Sequence, residues 1–423
     1  MSQQKKIINA WIMYDWANSV YPLIITTAIF PIFYNTITTE EVMFFNKTFI
    51  NTELYSYVVS LSFIIIAFLS PLLSGMADFS GNKKKYMQFF CYLGATSCMS
   101  LYFFNVENLE WSMLSVLLAS VGFSGSLVFY NAYLPEIAPP NMHDKISAKG
   151  FGRGYIGSSL LLIICLLLIQ VAGIEAKYTF VLTGMWWIGF SQITFKHLPT
   201  NTFNKKPTGN RFKKGFQELA FVFKQLKNQH SIKKYLSAFF IYSMGVQTIM
   251  LMAVFFGTKE IAWKSEAEMQ TGLIISILVI QFIAIAGAHV MAYLSKLIGN
   301  IKTLQIVVFI WAIICVAAYQ FVYTPLHFYF IAGVIGLMMG GIQSLSRSTY
   351  SKMLPDTTDN TSYFSFYDVL EKMGVVIGTF FFGLIEGFFS IRTSVLMLII
   401  FFIVGFLLLL RVKQKRELRG SSL

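Results

Sequence analysis

The stretch Gly75-Met76-Ala77-Asp78-Phe79-Ser80-Gly81-Asn82-Lys83-Lys84-Lys85 lies between two long apolar blocks, 54–76 and 86–105. An acid, two glycines and three lysines are gathered where the chain must turn back on itself. Gly75 lets a neighbouring helix approach closely. Asp78 can pair with basic groups or cap the N-terminus of a facing helix. Gly81 suits the turn, and Lys83, Lys84 and Lys85 suit an anchor at an anionic inner leaflet. That reading requires the flanking blocks to cross a bilayer.

The rest of the chain agrees. Of 423 residues, 56% are hydrophobic and 13% are charged, against about 25% charged in soluble domains. The apolar content falls in blocks of about 20 residues, the length of a membrane-crossing helix. Twelve spans are expected, near 11–35, 54–76, 86–105, 111–133, 150–171, 177–195, 233–257, 270–294, 302–322, 326–346, 363–387 and 391–411. The fold class is therefore an all-α polytopic membrane protein. Pro22 and Pro31 interrupt the first span and Pro71 the second, as bends do. No cleavable signal peptide is expected, because the apolar run after Lys5 and Lys6 continues to Phe33 without a small-residue cleavage site. Cys91, Cys98, Cys165 and Cys315 all fall inside apolar blocks, with neither metal nor disulfide spacing.

The net charge of +13 has a topological explanation. With the N-terminus inside, five basic residues lie in or beside outer loops: Lys47, Lys177, Lys259, Lys264 and Arg392. Lys372 lies within a span, which leaves 27 of the 33 Lys and Arg at the other face. This is a positive-inside bias. Both termini are expected in the cytoplasm of a cell whose cytoplasmic membrane holds the protein, and no nucleic-acid partner is implied.

Two halves follow. Residues 1–195 form an N-terminal six-helix bundle, 196–232 a basic cytoplasmic linker and 233–423 a C-terminal six-helix bundle. In the linker Phe212, Phe216, Leu219, Phe223 and Leu226 recur at helical spacing among lysines, as in an amphipathic helix on the inner membrane surface. The halves echo each other weakly. Leu134-Pro135-Glu136 closes the fourth span and Leu354-Pro355-Asp356 the tenth. The counterpart of the opening stretch, Ser295-Lys296-Leu297-Ile298-Gly299-Asn300, keeps a glycine but has Lys296 where the acid would stand.

This layout, with pseudo-two-fold symmetry, resembles the major facilitator superfamily, and Gly75 to Lys85 fits that superfamily's loop pattern. Within it the chain resembles the autophagy-related vacuolar effluxer family and its bacterial branch. The matching pieces are Tyr14-Asp15-Trp16-Ala17-Asn18-Ser19, Tyr130 to Pro135, Gly150-Phe151 with Gly154 to Gly157, Gly340 to Ser348, and Phe366-Tyr367-Asp368 with Lys372. One departure stands in the seventh span, where Met244 occupies a position that is acidic in relatives. The resemblance implies transport of small solutes by alternating access, with amino-acid release associated with the fungal branch.

Ionisable groups inside a membrane point to function by default. They are Asp15, Arg153, His289, Asp368, Glu371 and Lys372. Asp15 is expected to be held by Arg153 as a gate near the cytoplasm; direct substrate or proton binding, and interfacial solvation, are the competing readings. Asp368 and Lys372 share a helix face. Arg347 is expected to contact a carboxylate or, in preference, lipid headgroups. Asp78, Arg153, Arg347, Asp368 and Lys372 join Asp15 as gating or coupling candidates. His289 is expected as a satisfied helix–helix partner.

The resemblance implies a cavity lined by spans 1, 4, 7 and 10, which supplies the substrate candidates. They are Tyr14, Asn18 and Tyr21; Tyr130 and Asn131; Gln247 and Thr248; Gln343 and Ser346. Each serves equally well as an interhelical hydrogen-bonding group. No Walker loop, zinc spacing or catalytic motif is present, so neither enzyme activity nor a cofactor is expected. The expected function is a monomeric secondary transporter of a small polar metabolite, an amino acid foremost, working by efflux, with protons as the candidate coupling ion. Export of amphipathic drugs or cell-envelope fragments, and a non-transporting receptor or scaffold, are the alternatives.

Overall fold

The computed structural model describes residues 3–200 and 211–412. Long helices dominate: α1 Gln3–Ile37, α2 Asn51–Ser80, α3 Lys83–Ser100, α4 Leu109–Asn131, α5 His143–Gln170, α6 Lys177–His197, α7 Arg211–Asn228, α8 His230–Glu260, α9 Glu266–Ile298, α10 Asn300–Phe321, α11 Pro325–Met353, α12 Asn360–Phe388 and α13 Ile391–Leu410. A small hairpin, β1 (Glu41–Phe44) paired antiparallel with β2 (Lys47–Ile50), joins α1 to α2.

Among the described residues, nine helices are long and apolar enough to cross a membrane. Of the twelve expected spans, α3, α6 and α12 fall short of that composition. The reason in two of them is charge: α3 opens on Lys83, Lys84 and Lys85, and α12 holds Asp368, Glu371 and Lys372. All three are packed among the other helices.

Of the three prolines expected to interrupt spans, Pro22 disturbs the helical backbone, whereas Pro31 and Pro71 lie within α-helix. Pro22 has no N–H and crowds the preceding turn. Over Pro22–Ala28 the backbone of α1 widens to a π-helical turn, a form frequent at functional sites. Thr27 Oγ1 donates to the Pro22 carbonyl at 2.9 Å.

Buried apolar side chains form two large clusters. One is drawn almost wholly from residues before Pro199, the other almost wholly from residues after Val222. The halves meet along α2 with α12, and along α5 with α9 and α11. Gln4 donates to the Ile137 carbonyl, Lys84 to that of Leu198 and Tyr133 to that of Pro199. These contacts place the lysine-rich loops together at one end of the bundle, termed here the basic end.

The linker helix also docks on the bundle, beyond what its apolar spacing led us to expect. Only part of the linker, 196–200 and 211–232, lies within the described residues, and the Phe212 side chain lies outside them. The backbone of α7 touches that of α2 where Gly215 meets Gly75. Val222 and Leu226 are buried beside this contact, whereas Phe216 and Phe223 are 59% and 58% exposed. Tyr363 of α12 donates to Gln225 Oε1 at 2.6 Å. Thus α7 docks on the bundle along the Gly215–Val222–Leu226 stripe. Gly215 decides this, since every bulkier face would hold the backbones apart.

Candidate functional site

A cavity of about 330 Å3 lies between the halves. Its basic end is closed by Asp15 of α1 and Arg347 of α11, both less than 5% exposed. Arg347 Nη2 donates to Asp15 Oδ2 at 3.2 Å and Nη1 to Oδ1 at 3.5 Å. Nη1 also reaches Asn131 Oδ1 at 3.3 Å, Nε reaches Ser147 Oγ at 2.9 Å and Nη2 the Ser147 carbonyl at 3.1 Å. Tyr130 donates to Asp15 Oδ2 at 2.7 Å. The rings of Phe151, Trp11 and Tyr130 lie 4.2, 4.8 and 5.5 Å from the guanidinium carbon. A planar fork with five donors suits such an enclosure; a lysine could not fill it. Gly150 makes the pair possible, because a Cβ there would occupy the space of Asp15 Oδ2.

Two expectations are corrected here. Arg153 is not the partner of Asp15: its side chain is exposed and donates weakly to Met13 Sδ at 3.5 Å. It points away because Gly150 and Gly154 form the face of α5 that meets α1. Arg347 does not reach headgroups; it is buried at the centre, since α11 continues one and a half turns beyond it to Met353. His289 is likewise exposed, and its Nδ1 faces the Ile285 carbonyl of its own helix at 2.8 Å.

Of the substrate candidates, Asn18, Tyr21, Asn131, Gln247, Gln343 and Ser346 line the cavity. Tyr14, Tyr130 and Thr248 do not. Tyr14 packs between Tyr130 and Phe195, Tyr130 holds Asp15, and Thr248 faces Gly378 of α12. The Asn18 amide nitrogen is buried with no hydrogen-bond partner. Gln343 accepts from Tyr155, and Ser346 bonds Tyr242 at 2.7 Å. Apolar walls come from Phe63, Phe123, Phe151 and Phe239. Met244 is buried in α8, with its backbone against Gly378.

Sequence reasoning named Glu371 among the ionisable groups within spans but gave it no gating, coupling or binding role. It lines the cavity and accepts from Gln247 Nε2 at 2.9 Å. Lys372 lines it too, 3.6 Å from Glu371 Oε2 and 3.9 Å from Asp368 Oδ1.

The basic end is sealed further by links between halves. Asp78 accepts from the backbone N–H groups of Thr361 at 3.2 Å and Ser362 at 2.6 Å, capping α12. Lys83 pairs with Glu136, which accepts from Asn360 at 3.1 Å. Asp144 takes Lys352 at 2.6 Å, Asn300 at 2.7 Å and Ser295 at 3.0 Å. From Asp15 the cavity runs the other way, past Thr26 and Thr27 of α1.

Two helical halves around such a cavity define a transporter of the major facilitator type, a multi-pass membrane protein. Solved structures show the same fold. The fucose transporter FucP in its outward conformation matches at a TM-score of 0.70 and 14% identity, covering 98% of this chain and 99% of that one. The human organic anion transporter MFSD10 matches at 0.73 and 10%, covering 97% and 100%. The chain belongs to the family described as vacuole effluxer Atg22 like, which matches residues 3–421. An uncharacterized MFS-type transporter of Bacillus subtilis, YxiO, is 31% identical over 98% of this chain and 96% of its own. Autophagy-related protein 22-1 of Aspergillus niger is 23% identical, over 88% and 75%.

Proposed function

We propose that the protein is a monomeric secondary active transporter with twelve spans. It carries a small polar metabolite, an amino acid foremost, out of the cytoplasm by alternating access, linked to protons. The basic end is its cytoplasmic face, with both termini there, as the positive-inside bias requires. The observation that carries this reading is the Asp15–Arg347 pair, which joins the two halves across the floor of the cavity. A solute carboxylate can take the place of Asp15 on the Arg347 fork, and the unpartnered Asn18 amide lies on the same wall. Loss of the pair frees the halves to open toward the cytoplasm.

The phenylalanine-lined wall supports a second reading, export of amphipathic compounds. Flux into and out of proteoliposomes, with and without a pH gradient, separates the two. A panel of amino acids, peptides and amphipathic drugs should give saturable flux of a zwitterionic or acidic amino acid. Flux of the drugs alone would favour the second reading, and no flux with any solute would overturn both.

A further inference from the structure

The charges around the cavity do not cancel. Asp15 and Arg347 neutralise each other. On α12, by contrast, two carboxylates face one ammonium group. Lys372 Nζ stands between them, 3.6 Å from Glu371 Oε2 and 3.9 Å from Asp368 Oδ1, and makes a close contact with neither. Asp368 is 3% exposed and its Oδ2 has no hydrogen-bond partner. An ionised carboxylate in that setting is heavily penalised unless paired.

Among the described residues, the neighbouring helices do not supply the missing cation. From α8 come Gln247, bonded to Glu371, and Tyr242, bonded to Ser346. From α2 comes the Phe63 ring, 5.7 Å from Lys372 Nζ, while Asp78 sits at the start of α12 on the Thr361 and Ser362 amides. From α4 comes Tyr130, donating to Asp15. From α7 come Phe223, against Phe366, and Gln225, on Tyr363. From α13 comes Arg392, bonded to Glu260. Farther along α12, Glu386 pairs with Lys259. Within α12 itself Tyr367 is buried next to Asp368.

We propose that Asp368 and Glu371 share one exchangeable proton, and that this pair with Lys372 is the site where a proton enters the transport cycle. The proposal rests on the transport reading and adds the coupling site to it. Glu371 reaches the cavity and exchanges its proton with water there; Asp368, which does not line it, is the dry partner. The step is binding of a proton to a carboxylate oxygen, and no other bond forms or breaks. Lys372 compensates whichever carboxylate is ionised. Because Glu371 also accepts from Gln247 on α8, a change of its charge is felt by a second helix lining the cavity.

Infrared difference spectroscopy of the full chain in liposomes, titrated without any solute, tests this with the proton as probe. A protonated-carboxyl band should appear in the wild type. It should vanish in Asp368→Asn, shift or vanish in Glu371→Gln and persist in Glu386→Gln. Lys372→Met removes the cation nearest the pair among the described residues, so the band should survive to higher pH. Unchanged bands in folded Asp368→Asn and Glu371→Gln, or an unmoved titration in Lys372→Met, would overturn the proposal. The spectra need no flux. A pH-insensitive solute flux with unchanged bands overturns the proton site alone; the expected bands without any flux retain it and overturn the transport reading.

Discussion

Asp15 and Arg347 lie 332 positions apart, and neither is tolerable in a membrane interior without the other. Removing one member of a buried pair leaves an uncompensated charge, worth about 3–5 kcal/mol. Asp15→Asn keeps the shape and the Tyr130 contact but strands the guanidinium, so the closed basic end should be destabilised by that order. A lowered thermal-unfolding midpoint and lost flux would report it. Arg347→Lys keeps the charge but loses the fork, and flux should fall at least about tenfold, the equivalent of about 1.4 kcal/mol. Arg153→Ala, on the exposed face of α5, should stay within about 0.5 kcal/mol of wild type; a loss as large as that of Asp15→Asn would return Arg153 to the site. Asp15 was legible from the sequence because an acid inside an apolar run is conspicuous. Its partner was not. Arg347 sits in a polar run near Lys352 and reads as a headgroup anchor, and only the packing of α5 against both α1 and α11 turns it inward.

At the scale of the elements, apolar run length made most helices legible to within a few residues. It served less well at the basic ends of α1, α5 and α11, which run seven or eight residues past the apolar blocks as polar helix packed against protein rather than lipid. The linker shows a similar limit. Its phenylalanine spacing marks an apolar face, but the face that docks is set by a residue with no side chain. Gly215→Leu should force α2 and α7 apart, an overpacking effect of about 1–3 kcal/mol. It should appear as a lower unfolding midpoint and as faster proteolysis of the 196–232 connection. Phe216→Ala on the outer face should leave the midpoint in place and weaken only contact with lipid. Equal effects of the two substitutions would mean that α7 docks by its phenylalanines.

The whole molecule explains why the second copy of the opening stretch lacks its acid. In the first half, the loop brings Asp78 to the N-terminus of α12, whose own first turn carries no acid. In the second, α5 brings Asp144 in its own first turn, and the partner loop answers with Asn300 while α11 contributes Lys352. Ser295 and Asn300 of that loop donate to Asp144, so the acid stands on the helix and the loop supplies the donors; the symmetry is kept in position and reversed in charge. This exchange was not legible from the sequence, because it spans residues more than 150 positions apart. The Asp144 seal therefore holds the basic end shut in parallel with Asp78 and Asp15. Its lysine is 16% exposed on its side chain, so Asp144→Asn should release about 2 kcal/mol of closing free energy, near the low end for a partly desolvated pair. That raises the open fraction about 30-fold. A single cysteine at Ser344, buried between the halves in the closed state, reads this out in a chain whose four native cysteines are replaced. A membrane-impermeant thiol reagent applied to inside-out vesicles should label it about 30-fold faster in Asp144→Asn. The double variant Asp144→Asn/Lys352→Met should recover part of the protection, since both charges are then gone. Labelling from the outer face with the same acceleration would place the basic end outside and reverse the assigned orientation.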